Sequence, residues 1–397
     1  VAKKIYRRIG LMLLGASIGH FIQEFKMVQK VIFNLLLFCL LVWSCASHPD
    51  CPTAAEKFQV QIQHLTPHCQ GKTNTCWAFS TLSFLESEII RQTGQSVRLS
   101  PMWIVYHAYL EKAKNFWEKH GQARLYGGGL AHDVFWVIER YGIVRHEDFT
   151  GRPDPNDAFD HSEMDSVLKF SLEQWVQQPE MTPELIIEKT RRLLNQYLGA
   201  PPEVIEMAGE KISPREFAKK HLKIDLTQFV QVTSFLAFPV YEFGKLDLQD
   251  NWLGYDQYLN VPLPVFTDLL EAALTQHFSV AIDMDLTEKG YDKIRSCATL
   301  SPGWLATDSL NQATREALFL NASTTDDHLQ HIVGFAPKLH GHGWFLIKDS
   351  LPSSYFSVSK GYIFMREDYL RMKVLSFLVH RDAIQSRLAK VHGFSLP

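Results

Sequence analysis

Gln70-Gly71-Lys72-Thr73-Asn74-Thr75-Cys76-Trp77-Ala78-Phe79-Ser80 sets a cysteine six residues after a glutamine and directly ahead of an aromatic and apolar run. A thiol attacks only as thiolate, and a helix N-terminus favours that form, because unpaired N–H groups and the positive end of the helix dipole point at the sulfur. Thr73, Asn74 and Thr75 are residues of the type that cap helices. Trp77, Phe79, Leu82, Phe84 and Leu85 follow at the apolar positions of a largely buried helix, with Glu86 and Glu88 expected to leave it toward solvent. Gln70 lies on the preceding loop. From there its amide and the Cys76 N–H reach one place, a pair of donors for a developing oxyanion. Free cysteine is among the most buried residue types, so Cys76 alone would read as structural; the string around it is what points to chemistry.

This stretch resembles the active-site segment of papain-like cysteine peptidases, in which Gln, five intervening residues, Cys-Trp, a small or apolar residue and Phe-Ser recur. The resemblance implies Cys76 as nucleophile and Gln70 as oxyanion donor. A nucleophilic thiol needs a base, and the base an orienting group, from far along the chain. Asp326-Asp327-His328-Leu329-Gln330-His331-Ile332-Val333-Gly334-Phe335-Ala336 is a polar approach to a strand, and Gly343 to Ser350 is a second strand ending in a carboxylate. Joined by a turn from Pro337 to His342, the two bring the start of the first near the end of the second. In the resembling family the base, often preceded by Asp or Asn, opens a strand and is followed after five residues by Gly and an aromatic. Asp327-His328 with Gly334-Phe335 fits that register, so the resemblance implies His328. His331 differs in strand parity and reads as a structural residue of the other face. Asp349 stands where the family has an orienting Asn, and Leu351-Pro352 replace its Trp-Gly. A carboxylate there is expected to accept the Nδ1–H of His328 and fix its tautomer, with its charge favouring the imidazolium.

Tyr126-Gly127-Gly128-Gly129-Leu130-Ala131-His132-Asp133-Val134 resembles the Gly-Gly segment of the same superfamily, whose backbone hydrogen-bonds an extended peptide. Gly128 and Gly129 are therefore candidate substrate-binding positions. A plain flexible loop is the alternative, and a phosphate loop lacks the GK[ST] that it would need. Within the superfamily the chain is most similar to the bleomycin hydrolase and aminopeptidase C branch, through Leu99 to Tyr106, Glu111-Lys112-Ala113 and Lys360 to Met365 with Tyr369. The resemblance runs from about Gln61 to about Ile384. The cysteine usual in the active-site loop of secreted members is absent, Thr73 and Asn74 taking that part of the loop.

The expected fold is α+β: a papain-like two-lobed fold, a helical lobe plus an antiparallel β half-barrel, with a helical insert. In the half-barrel, strands are expected around Phe229 to Val232, Phe278 to Ile282, His328 to Ala336, Trp344 to Lys348 and Gly361 to Met365, with a helix from Val265 to Gln276. The peptidase domain is placed at 52–384, its insert at about 147–227 and a tail at 385–397. With 397 residues, 46% apolar and 12% aromatic, the chain supplies a core for one large two-lobed domain. A net charge of −3 with interspersed signs offers no basic face, so nucleic acid is not an expected partner.

Residues 1–47 read as a targeting region with the start expected at Met27: Lys30 as basic flank, Val31 to Trp43 as apolar run, then Ser44, Cys45, Ala46 and Ser47. Lipid attachment at Cys45 and plain secretion both remain open, with a retained anchor third. Export is thus expected, whether secreted, periplasmic or lipid-anchored, and membrane contact only through that N-terminal lipid or anchor. An oxidising compartment would permit Cys51 to pair with Cys69 and leave Cys76 free. No C-x-x-C is present. His340-Gly341-His342 reads as a polar hairpin tip, since no third metal ligand is evident.

The expectation is an exported cysteine peptidase acting on a peptide or protein substrate through Cys76, His328 and Asp349, with no metal and no organic cofactor. The branch resemblance implies amino-terminal trimming by a tail that occupies the cleft, although Gly393 to Pro397 does not match that tail. An endopeptidase of the same fold and a non-catalytic peptide-binding surface protein are the alternatives.

Overall fold

The computed structural model describes residues 51–397 apart from 54–55, 155–156, 208, 289, 301–308, 393, 395 and 397, so the targeting region expected at 1–47 lies outside it. After the short strand β1 (Val60–Gln61) come three helices: α1 (Cys76–Thr93), α2 (Pro101–Glu118) and α3 (Ala131–Tyr141). α2 begins as its sequence dictates, with Ser100 accepting from the Trp103 N–H at 3.0 Å and Pro101 at the first helical position. α1 ends at Gly94, whose φ of +74° supplies the left-handed turn that closes the helix. The stretch placed in the insert contains α4 (Ser162–Trp175), α5 (Pro183–Leu198), the hairpin β2 (Ile205–Met207) and β3 (Glu210–Ile212), and α6 (Pro214–Glu216) running into a π turn. Leu168 and Leu194 share one core with Trp77, Phe84, Met102 and Tyr106, so these helices are packed onto the first three.

The second half is a sheet with helices on its outer face. Its elements are β4 (Phe229–Thr233), β5 (Phe243–Gly244), β6 (Tyr258–Asn260), α7 (Leu263–Thr275), β7 (Val280–Met284), β8 (Tyr291–Asp292) and β9 (Cys297–Ala298). There follow α8 (Gln312–Leu320), β10 (His328–Leu339), β11 (His342–Lys348), α9 (Pro352–Tyr355), β12 (Tyr362–Arg366), α10 (Glu367–Lys373), β13 (Val374–His380) and α11 (Arg381–His392). The strands are ordered β5-β6-β4-β13-β7-β10-β11-β12-β9-β8, and β1 adds to β10. The strands expected for the half-barrel pair antiparallel, β4 through β13 to β7 and on to β10, β11 and β12, while the short β6 and β9 join β4 and β12 in parallel. β13, which the sequence reading had not placed, lies between β4 and β7.

Side-chain alternation divides the sheet between two cores. Ala281, Leu329 and Leu378 face the helical lobe, while Val280, Ile282, Ile332 and Phe377 pack with Phe266 and Leu270 of α7 and Leu388 of α11. β7 is therefore buried along its whole length. At about 25 cal/mol per Å² of apolar surface removed from water, such two-sided burial is the main term holding the lobes together.

Two local expectations are overturned. Glu86 and Glu88 do not leave α1 toward solvent, being 2% exposed. Glu86 accepts the Leu99 N–H at 2.9 Å and faces Arg98, and Glu88 takes Arg91, so each is paired inside the fold. The cysteine states also differ: Cys51 and Cys297 are each in a disulfide, whereas Cys69, the expected partner of Cys51, is a free thiol like Cys76.

Candidate active site

The β10–β11 hairpin places His328 and Asp349, the candidate base and its orienting group. Its register sets His331 opposite Lys348, which puts the first residue of β10 beside the residue that follows β11. His328 Nε2 meets Asp349 Oδ1 at 2.6 Å. This corrects the expected nitrogen, since Asp349 takes Nε2 and not Nδ1. The physical reason lies in the ring's other partner: the Cys76 sulfur hydrogen-bonds His328 as well, and Nδ1 is the nitrogen left for it. His331 has a different setting, with Nδ1 bonded to Ser83 Oγ of α1 at 2.8 Å and the Phe84 ring edge-on beside it.

Burial would strip the proton from His328, but the Asp349 carboxylate and then the Cys76 sulfur hold the imidazole well above its ordinary value. Asp349 behaves in the opposite sense. Burial pushes its carboxyl up, and the His328 charge with hydrogen bonds from His328, Ser354 and Gln330 brings it below the usual carboxylate range. Each partner thus favours the charged form of the other, with the Cys76 sulfur on the other side of the ring. His328 and Asp349 are each 3% exposed, while Cys76 is half-buried, so the sulfur is reachable and the groups behind it are not.

Around Asp349 the fold supplies further donors. Pro352 starts the single turn α9, which carries Ser354 over the carboxylate; its hydroxyl donates to Oδ2, as does the Leu351 N–H at 3.3 Å. Gln330 Nε2 donates to Oδ1 at 3.1 Å. Gln330 stands two residues beyond His328 and shares its strand face, so parity alone could have found it. Ser354 had no such signal, because its reach depends on the α9 turn.

Gln70 is held at three points. Its N–H donates to the Ser350 carbonyl at 2.8 Å, its carbonyl accepts from Thr73 Oγ1 at 2.9 Å, and its side-chain Oε1 accepts from Ser350 Oγ at 2.5 Å. Spending Oε1 on Ser350 fixes which end of the amide is which and leaves the NH₂ as the unspent donor. The N-terminus of α1 is likewise left open. Thr75 makes no side-chain cap, its hydroxyl being turned to Thr73 Oγ1 at 2.6 Å, so the Cys76 N–H remains one of the unpaired donors of the first turn. An uncapped helix end costs stability, and here it coincides with the position from which an oxyanion would be held.

The glycine loop abuts the same helix, with Trp77 Nε1 donating to the Gly127 carbonyl at 2.7 Å. A Cβ on Gly128 would lie 2.2 Å from Asp250 Oδ2, and one on Gly129 would lie 2.8 Å from the Trp77 ring. The absence of side chains there is thus explained by internal packing, whatever the loop binds. At the far hairpin, His340 and His342 meet Glu56 and Glu367, and no group of three metal-ligating side chains occurs among the described residues.

No protein-family model matches the chain, and no curated protein matches it in sequence. Solved structures do match. PepW from Lactobacillus rhamnosis HN001 superposes with a TM-score of 0.70 over 90% of this chain and 90% of its own, at 16% identity. A structure from work on the mite allergens Blo t 1 and Der p 1 aligns at 0.40 and 14% identity, over 85% of this chain and 77% of that one. The chain has the papain-like fold, a helical lobe against a sheet lobe with the helix that opens at Cys76 between them.

Proposed function

We propose that the protein is an exported cysteine peptidase. Cys76 attacks the peptide carbonyl, His328 holds the proton in the resting pair and delivers it to the leaving amine, Asp349 fixes His328, and Gln70 with the Cys76 N–H receives the oxyanion. The observation that carries this reading is the position of His328, sealed between a carboxylate and a half-exposed thiol. A peptide substrate along Gly128 and Gly129 fits the loop's place beside Trp77. Disulfides at Cys51 and Cys297 support an oxidising compartment and hence export.

Amino-terminal trimming is the more specific form of the proposal. The described tail residues lie on the sheet side: Leu396 is buried in that core, its carbonyl accepts from Arg381 at 3.2 Å, and Phe394 packs against Tyr241, so the amine anchor of this proposal is sought among other residues. The test is to incubate the protein with a thiol-directed peptidyl inhibitor and a mixed peptide library, mapping label and cut sites by mass spectrometry. Label on Cys76 with loss of cutting is expected. Cutting that persists in Cys76→Ala would refute the reading.

A further inference from the structure

Beside the nucleophile lie three carboxylates that the proposed reaction does not use. Asp283 stands in β7 opposite Leu329, the residue after His328, and Asp326 stands two residues before His328. Asp250 lies against Gly128, whose missing Cβ admits it, and is fixed there by the Tyr126 hydroxyl. The three converge: the Asp250 N–H hydrogen-bonds Asp326, and Asp326 and Asp283 are within hydrogen-bonding reach of each other.

These groups lack what buried carboxylates need. Both oxygens of Asp283 and Oδ2 of Asp326 have no donor among the described residues, although Asp283 is buried and that Asp326 oxygen is closed from solvent. The buried Tyr258 hydroxyl next to them is unpartnered too. The carboxylates that act most on Asp283 and Asp326 are one another, Asp250 and Asp327, all of one sign. Lys112, the cation that reaches Asp250, is spent on the Tyr126 and Gly128 carbonyls and faces Asp133 first. Neighbouring acids are provided for: Asp285 has Lys373, and Asp327 takes the Leu286 N–H at 2.9 Å and Thr287 Oγ1 at 2.9 Å. A buried carboxylate without a donor is costly until a proton or a cation meets it. Burial, with the neighbouring carboxylates, holds both Asp283 and Asp326 above the usual carboxylate range, as expected for acids whose counter-charge is missing.

We propose that Asp283, Asp326 and Asp250 form a cation-accepting subsite beside Cys76, which holds a protonated amine or guanidinium of the peptide substrate. Two parts of a peptide carry that chemistry, the free α-ammonium and a Lys or Arg side chain. The subsite rests on the peptidase reading and gives it a specificity. It also supplies the amine anchor that amino-terminal trimming requires, without the tail.

The experiment is a peptide library in two halves, free and acetylated at the amino terminus, with cuts mapped by mass spectrometry for the wild type, Asp283→Asn and Asp326→Asn. Cuts confined to the free half at a fixed distance from the terminus assign the subsite to the α-ammonium. Lys or Arg enriched at one position from the cut in both halves assigns it to a side chain. In either case the preference should exceed about tenfold in the wild type and collapse in both variants. A folded variant that keeps the preference overturns the proposal, and so does a wild type that cuts free, blocked, basic and neutral sequences equally, with the peptidase reading left standing. A wild type that cuts nothing while iodoacetamide alkylates Cys76 overturns both. If neither variant folds by thermal melting, the two wild-type halves decide alone.

Discussion

Asp349 and Ser354 face each other across the single turn of α9, the serine hydroxyl donating to Oδ2 while Oδ1 takes His328. The turn therefore does for the carboxylate what a covering aromatic would do by exclusion: it occupies the remaining oxygen and closes it from water. Ser354→Ala leaves Oδ2 with only the long Leu351 N–H. A hydrogen bond to a charged group is worth roughly 1.5–3 kcal/mol, so thermal melting should show a loss of about that size. kcat should fall about tenfold as the His328 ring loosens, with KM little changed. Unchanged kcat would mean that Ser354 does not position the pair.

Asp349→Asn probes charge with shape kept. The folded His328 value lies above the unfolded one, so its pairing stabilises fully below the unfolded imidazole value of about 6.5 and is lost as pH rises through the raised value. Asp349 has a depressed value, so its contribution is present above about 3.9 and is lost as pH falls through the lowered value. If His328 acts as imidazolium, the basic limb of kcat/KM reports its deprotonation. Asp349→Asn should move that limb to lower pH and keep part of the activity, whereas Asp349→Ala should lose most of it. A limb that stays in place for the Asn variant would detach Asp349 from the base.

The two histidines of β10 separate chemistry from packing. His328→Ala should cost on the order of 10²–10⁴ in kcat, the range for a positioned acid or base. His331→Ala leaves the Ser83 hydroxyl and a buried cavity behind, so it should lower the melting temperature and leave kcat within a few-fold. The reverse order of effects would reassign the base.

Thiol accessibility tests the cysteine state. Under native, non-reducing conditions iodoacetamide should label Cys76 and, slowly, Cys69, whose thiol is raised mainly by burial. Cys51 and Cys297 should label only after reduction. Labelling of Cys297 without reductant, read by peptide mapping, would contradict its disulfide.

α1, the helix Leu263–Thr275 and the β10–β11 hairpin were legible because each has a clear apolar period and a turn or cap at its end. β13 was not. The run from Glu367 to His392 passes from helix to strand to helix with neither glycine nor proline to punctuate it, and a strand buried on both faces carries no alternation. The candidate residues Gln70, Cys76, His328 and Asp349 were legible as local strings. Which imidazole nitrogen meets Asp349 depends on ring orientation, which no string encodes. Asp250, Asp283 and Asp326 come from three separated segments, so their convergence follows only from the fold.

Gln70 and Ser350 give the sharpest test of the oxyanion site, because one is proposed to touch the reacting oxygen and the other acts only through it. Gln70→Ala removes a donor aimed at developing charge and should cost about 10²–10³ in kcat with KM nearly constant. Ser350→Ala removes the hydroxyl that fixes Oε1, leaving the amide free to turn its acceptor toward the oxyanion, so its loss should be smaller and of the same kind. In the double variant the serine has nothing left to orient, and kcat should match that of Gln70→Ala alone. Multiplied losses in the double variant, measured by steady-state kinetics, would show that Ser350 acts by some other route.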